Sequence, residues 1–264
     1  MKIGKKLLAG FLAVGMVATM FSGCSSDGDS KTFTVGFDAE YPPYGYMDEN
    51  GEYTGFDLEL AEAVCELKGW TLVKQPIAWD SKDTELDSGS IDCIWNGFTI
   101  NGREDKYEWS VPYVDNSQVI VVKKDSGITS FADLKDKTVG VQAASAALDV
   151  LSDAEGQKEL AATFKKLMEF ADYNTAFVEL EAGSIDALAM DIGVAQYQIE
   201  SRGDNFIILD EHLNAEKYGI GFKLGNTELR DEVNEALKTL KENGTFDKLA
   251  EKYGLSAMTC LEAE

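Results

Sequence analysis

A chain of 264 residues with 47 acidic against 24 basic side chains carries a formal charge of −23. That excess makes nucleic acid an unsuitable partner, because a phosphate backbone selects for the opposite sign. Its single histidine, four cysteines without metal-ligand spacing, and lack of Gly-x-Ser-x-Gly, phosphate-loop and His-Glu-x-x-His patterns exclude the common zinc, nucleotide and hydrolase chemistries.

The first element is a signal sequence. Lys2, Lys5 and Lys6 precede an apolar run from Leu7 to Phe21. At about 15 residues it is short of the roughly 20 that span a bilayer. Phe21-Ser-Gly-Cys24 resembles the cleavage site of bacterial lipoproteins. This predicts a lipoprotein-type signal peptide over 1–23, acylation of Cys24, a polar tether over 24–31, and an extracytoplasmic domain anchored to the cell membrane. Cys65 and Cys93 lie among apolar residues and read as small core hydrophobes, with Cys260 a free thiol near the end.

Thr32 to Phe37 alternates like a strand. Pro42 and Pro43 forbid a helix directly after it, and Gly51 to Gly55 is a turn. Phe56, Leu60, Ala63, Val64 and Leu67 then fall at helical spacing, with Gly69 as the stop. A strand over Trp70–Gln75 and a short helix to Ser88 complete a βαβ run. Strands over Ser117–Val122 and Thr138–Val141 follow, then a helix from Ser145, one over Leu160–Met168 and a further strand. Helices over Thr175–Ala182 and Ile192–Ser201 and a strand over Phe206–Leu209 come next. After Tyr218–Phe222, helices over Asn226–Asn243 and Thr245–Lys252 close the chain. The stripe of Leu229, Val233, Ala236, Leu237 and Leu240 on the first of these predicts core packing.

The chain also repeats itself. Leu86-Asp-Ser-Gly89-Ser-Ile91-Asp92 returns as Leu180-Glu-Ala-Gly183-Ser-Ile185-Asp186, and Thr34-Val-Gly-Phe37 is echoed by Thr138-Val-Gly-Val141. A duplicated helix-turn-strand corner predicts two similar α/β lobes. The repeated strands end at Asn96 and Thr99 in one copy and at Asp191 in the other, groups suited to holding a small zwitterion between facing lobes. His212 lies in a polar stretch and is not expected to act as a catalytic base.

Several ordered blocks carry a resemblance. They are Val35-Gly-Phe-Asp38-Ala-Glu-Tyr41-Pro-Pro-Tyr44, Gly55-Phe-Asp57-Leu-Glu-Leu60-Ala61, Ile91-Asp92-Cys-Ile-Trp-Asn96-Gly97-Phe-Thr99-Ile100, Trp109-Ser-Val-Pro-Tyr113, Gly219-Ile-Gly-Phe222 and Gly244-Thr-Phe-Asp-Lys-Leu-Ala-Glu-Lys-Tyr253. Over residues 32–254 the chain resembles the family 3 solute-binding proteins of polar amino acid ABC importers. The resemblance implies a two-lobe, periplasmic-binding-protein-like (type II) α/β fold with two hinge crossings, near Asn116–Val119 and Glu211–Glu216. Lobe I would take 32–116, lobe II 117–212, and a return to lobe I with the C-terminal helices 213–264. An amino acid would bind in the cleft and the lobes would close on it. The partners implied are that ligand and a membrane permease, on a monomer with no cofactor, no metal and no bond chemistry.

On the family's pattern Arg103 grips the ligand carboxylate, helped by Thr99 and backbone donors around Ser145 and Ala146. Arg103 stands one residue closer to Thr99 than is common, and Ala144-Ser145-Ala146 lacks one hydroxyl the family often has. Asp191 and a carbonyl at Asn96 or Gly97 take the ammonium. Tyr41 and Trp79 sandwich the side chain, and Asp38 tests its tip, where a carboxylate favours a basic amino acid. The alternatives are a glutamine or cystine receptor, an enzyme on the same fold such as a cyclohexadienyl dehydratase, and a sensory ectodomain.

Overall fold

The structure, a computed structural model, describes residues 30–262, so the expected signal peptide, Cys24 and most of the expected tether lie outside the described residues. The chain enters lobe I through β1 (Thr32–Phe37) and a small antiparallel sheet of β2 (Glu40–Tyr41), β3 (Gly45–Met47) and β4 (Tyr53–Thr54). It continues through α1 (Phe56–Lys68), β5 (Thr71–Pro76), α2 (Lys82–Ser88), β6 (Cys93–Thr99), β7 (Glu108–Trp109) and β8 (Val114–Asn116). Lobe II holds β9 (Gln118–Lys123), β10 (Thr138–Gln142), α3 (Ala146–Ser152), α4 (Lys158–Ala161), β11 (Lys166–Phe170), α5 (Tyr173–Ala182), β12 (Ala187–Asp191), α6 (Ile192–Arg202) and β13 (Phe206–His212). The chain then returns to lobe I as β14 (Glu216–Phe222), α7 (Thr227–Glu242) and α8 (Thr245–Lys252).

Each lobe is built on its own sheet. Lobe I runs β5-β1-β6-β14-β7, with β8 also paired to β14, and lobe II runs β11-β10-β12-β9-β13. Within each, the β1–β5, β1–β6, β10–β11 and β10–β12 pairs are parallel, as helical crossovers require. The two crossings between lobes are short, from β8 to β9 and from β13 to β14.

The repeated motif is one corner built twice. Gly89 and Gly183 end α2 and α5 in the left-handed conformation, at φ 78° in both, which a side chain would strain. Asp92 then exchanges two hydrogen bonds with the backbone of Thr34, accepting from its N–H at 2.7 Å, and Asp186 does the same with Thr138 at 2.7 Å. Ile91 and Ile185 lie directly over Gly36 and Gly140, where an added Cβ would come within 2.4 and 2.6 Å of the isoleucine Cδ1. The echo of Thr-Val-Gly and the echo of Gly-Ser-Ile-Asp are thus two halves of one contact.

The helix expected over Leu160–Met168 is overturned. Only Lys158–Ala161 is helical, and Lys166–Phe170 is a strand in register with β10, Lys166 opposite Thr138. The apolar spacing there was short enough to suit either element, and the open edge of the lobe II sheet decides it. The stripe on α7 is core: Val233 and Leu237 are fully buried in the cluster that also contains Phe56, Val64 and Phe246. Among the described residues no helix is long and apolar enough to cross a membrane.

Candidate functional site

The sheets present their strand ends to one another across the hinge. Tyr41, Trp79, Gly97, Thr99 and Arg103 from lobe I and Gln142, Ser145, Ala146 and Asp191 from lobe II line one cavity. Its free space is about 10 Å³, room for about one water, so the lobes are closed upon it. A larger concavity of about 600 Å³ lies on the outside of lobe I beside Pro112, Lys217 and Leu261. We place the site in the smaller one, because there buried groups of opposite charge from both lobes converge.

At one end, Arg103 is 6% exposed and its Nη2 donates across the cleft to Asp149 Oδ2 at 2.8 Å and to the Ala144 carbonyl at 3.4 Å. Both contacts run through Nη2, which belongs to both bidentate edges of the guanidinium, so a carboxylate would grip Arg103 two-handed by taking the place of the exposed Asp149. Ser145 caps α3, its hydroxyl accepting from the Leu148 N–H at 3.2 Å. That hydroxyl is a structural group, so what the turn can offer an anion is backbone.

At the other end, Asp191 is 3% exposed and occupies the N-cap position of α6 without capping it. Its Oδ1 accepts from Asn116 at 2.8 Å, Gln118 at 2.5 Å and the Tyr218 hydroxyl at 2.6 Å. Burial, and then the nearby Glu216 carboxylate, push its carboxyl up to about 6. Glu216 Oε1 accepts from Thr99 at 2.8 Å, Asn116 at 2.7 Å and Gln118 at 2.8 Å. Since the Thr99 hydroxyl proton is given to Glu216, its lone pairs are what remain for a ligand, and these match an ammonium better than a carboxylate.

Asp38 and Asn96 lie outside the cavity lining. Asp38 stands behind Gln142, whose amide donates to its Oδ2 at 2.7 Å across the lobes, and burial raises its carboxyl to about 6. Asn96 is buried against Gly45. Gln142, Tyr218, Asn116, Gln118 and Glu216 were not singled out from the sequence. Gln142 had a signal there: it follows Thr138-Val-Gly-Val141 at the position Asp38 holds after Thr34-Val-Gly-Phe37.

Comparison with known proteins bears on the fold and the family. The chain is 29% identical over 262 residues to the L-cystine-binding protein TcyJ of Escherichia coli strain K12, covering 95% of this chain and 96% of that one. It is 32% identical to the arginine-binding extracellular protein ArtP of Bacillus subtilis strain 168, covering 94% and 95%. A substrate-binding protein of an ABC uptake transporter from Streptococcus pneumoniae, solved with bound histidine, superposes with a TM-score of 0.82 at 35% identity, covering 87% of this chain and 95% of that chain. These likenesses bear out the type II two-lobe α/β fold, and the model of one family runs across both lobes, over residues 33–256. The chain therefore belongs to the bacterial extracellular solute-binding proteins, family 3.

Proposed function

We propose that this protein is the receptor of an ABC importer, capturing a polar, basic L-amino acid between its lobes and delivering it to a membrane permease without any bond chemistry. The observation that carries this reading is the pair of buried, opposite charges, Arg103 on lobe I and Asp191 on lobe II, lining one cavity with Tyr41 and Trp79. The α-carboxylate would take the Arg103 guanidinium in place of the exposed Asp149 carboxylate, with backbone around Ser145 and Ala146. The α-ammonium would take Asp191, the Thr99 oxygen and the Gly97 carbonyl. Between them the faces of Tyr41 and Trp79 suit an aliphatic stem ending in a cation. Asp38 supplies negative charge behind Gln142. The relative named for arginine and the structure holding histidine support a basic ligand. A monomer anchored through acylated Cys24 would keep the receptor beside its permease.

Calorimetry on residues 25–264 with L-arginine, L-lysine, L-ornithine, L-histidine, L-glutamine and L-cystine tests this. A basic amino acid is expected to bind at least about tenfold more tightly than the others. Tighter binding of glutamine or cystine would remove the basic preference, and turnover of prephenate or arogenate would replace the receptor with an enzyme. Release of a Cys24→Ser variant from the membrane fraction is the expected sign of the anchor.

A further inference from the structure

The hinge contains a four-membered polar ring to which each lobe contributes one amide and one carboxylate. In lobe I, Asn116 stands opposite Glu216 in the β8–β14 ladder, and in lobe II Gln118 stands opposite Asp191 in the β9–β12 ladder. Each amide nitrogen has two hydrogens and spends one within its own lobe and one across the gap. Asn116 donates to Glu216 at 2.7 Å and to Asp191 at 2.8 Å, while Gln118 donates to Asp191 at 2.5 Å and to Glu216 at 2.8 Å. All four groups are buried, and both amide oxygens, Asn116 Oδ1 and Gln118 Oε1, have no partner. Leaving buried acceptors unmatched is costly. The orientation is explained by the carboxylates: flipping either amide would set oxygen against two anionic oxygens.

We propose that Asn116, Gln118 and Glu216 are positioning residues that couple recognition of a ligand's ammonium at Asp191 to closure of the lobes. The inference rests on the reading of Asp191 as the ammonium acceptor. With Oδ1 occupied by Asn116, Gln118 and Tyr218, the oxygen left to a ligand is Oδ2. On this proposal opening breaks the two cross-lobe amide bonds and the Tyr218–Asp191 bond while the in-ladder bonds survive, so this setting of the Asp191 carboxylate belongs to the closed arrangement. Closure also draws two carboxylates around shared donors, a repulsion that an arriving ammonium offsets. Ammonium binding and closure therefore favour one another.

The test compares L-arginine with its desamino analogue, 5-guanidinopentanoic acid, in the wild type and in Asn116→Leu and Gln118→Met, which remove the donors at similar volume. Wild type is expected to prefer arginine by about a hundredfold or more, and each variant to lose about tenfold of that preference. Equal weakening of both compounds, leaving the preference intact, would overturn the coupling. Should either variant fail to fold, Glu216→Gln, which keeps the shape, is expected to narrow the preference likewise. Single-molecule energy transfer between dyes at exposed Asp80 and Glu155, one on each lobe, reads closure without any ligand. The donor-deleting variants are expected to lower the closed-to-open ratio about tenfold, and unchanged distributions would overturn the proposal. If wild type ignores arginine, the ligand class is wrong, while the ligand-free measurement still decides the hinge ring.

Discussion

Asp191 is pulled in two directions. Burial and Glu216 raise its carboxyl from the ordinary 3.8 to about 6, yet an ammonium requires it ionised. Affinity for a cationic amino acid is therefore expected to be flat above neutrality and to fall up to about tenfold per pH unit below about 6, as read by calorimetry across pH 5 to 8. Asp191→Ala should cost about 3 kcal/mol of affinity by calorimetry while the domain still folds, since no helix cap is lost and both amides keep Glu216. Asp57 gives the opposite case, a buried carboxyl with no part in the cavity. It accepts from the Gly97 N–H at 2.5 Å and the Tyr113 hydroxyl at 3.0 Å, and burial raises it to about 7. Because the folded state then holds a proton that the unfolded state has released, its contribution is greatest near pH 4 and is lost as pH rises through 7. In Asp57→Asn the stability difference from wild type should accordingly change across that window, by up to about 4 kcal/mol in urea unfolding.

The duplicated corner makes a sharper claim about elements. Gly36→Ala would drive a methyl to 2.4 Å from Ile91 Cδ1 and should destabilise by about 1–3 kcal/mol, whereas Gly36→Ala with Ile91→Val should recover about 1 kcal/mol of that in thermal unfolding. This corner was readable in the sequence because both of its halves recur, and α7 was readable because one buried stripe runs its length. The strand at Lys166–Phe170 was not: a short apolar run has no period of its own, and its state is set by β10 alongside. Asp191 could be found as the end of a repeated strand, and Gln142 could have been, by carrying the echo of Thr34 to Phe37 one residue further. Asn116, Gln118 and Glu216 had no such signal. Their meaning comes from register across the β8–β14 and β9–β12 ladders, which no local pattern encodes.

On the scale of the molecule, a ligand that binds only the folded, closed pair of lobes must stabilise them. At about a hundred times its dissociation constant the gain is about 2.7 kcal/mol, so L-arginine should raise the melting temperature by roughly 5–10 °C in a thermal-shift assay. Lobe II is one unbroken stretch, but lobe I is assembled from both ends of the chain, with β14 seated between β6 and β7. A chain ending at Asn214 should protect the amides of β9 through β13 from hydrogen exchange and leave those of β1, β5 and β6 exchanging freely. The order of synthesis then matters. A polypeptide emerging N-terminus first can shut the sheet of its middle portion while β6 still shows a bare, bondable edge awaiting its neighbour. The half that leaves the ribosome earliest is the half that stays unfinished longest, and it needs shielding from other chains until the final helices arrive.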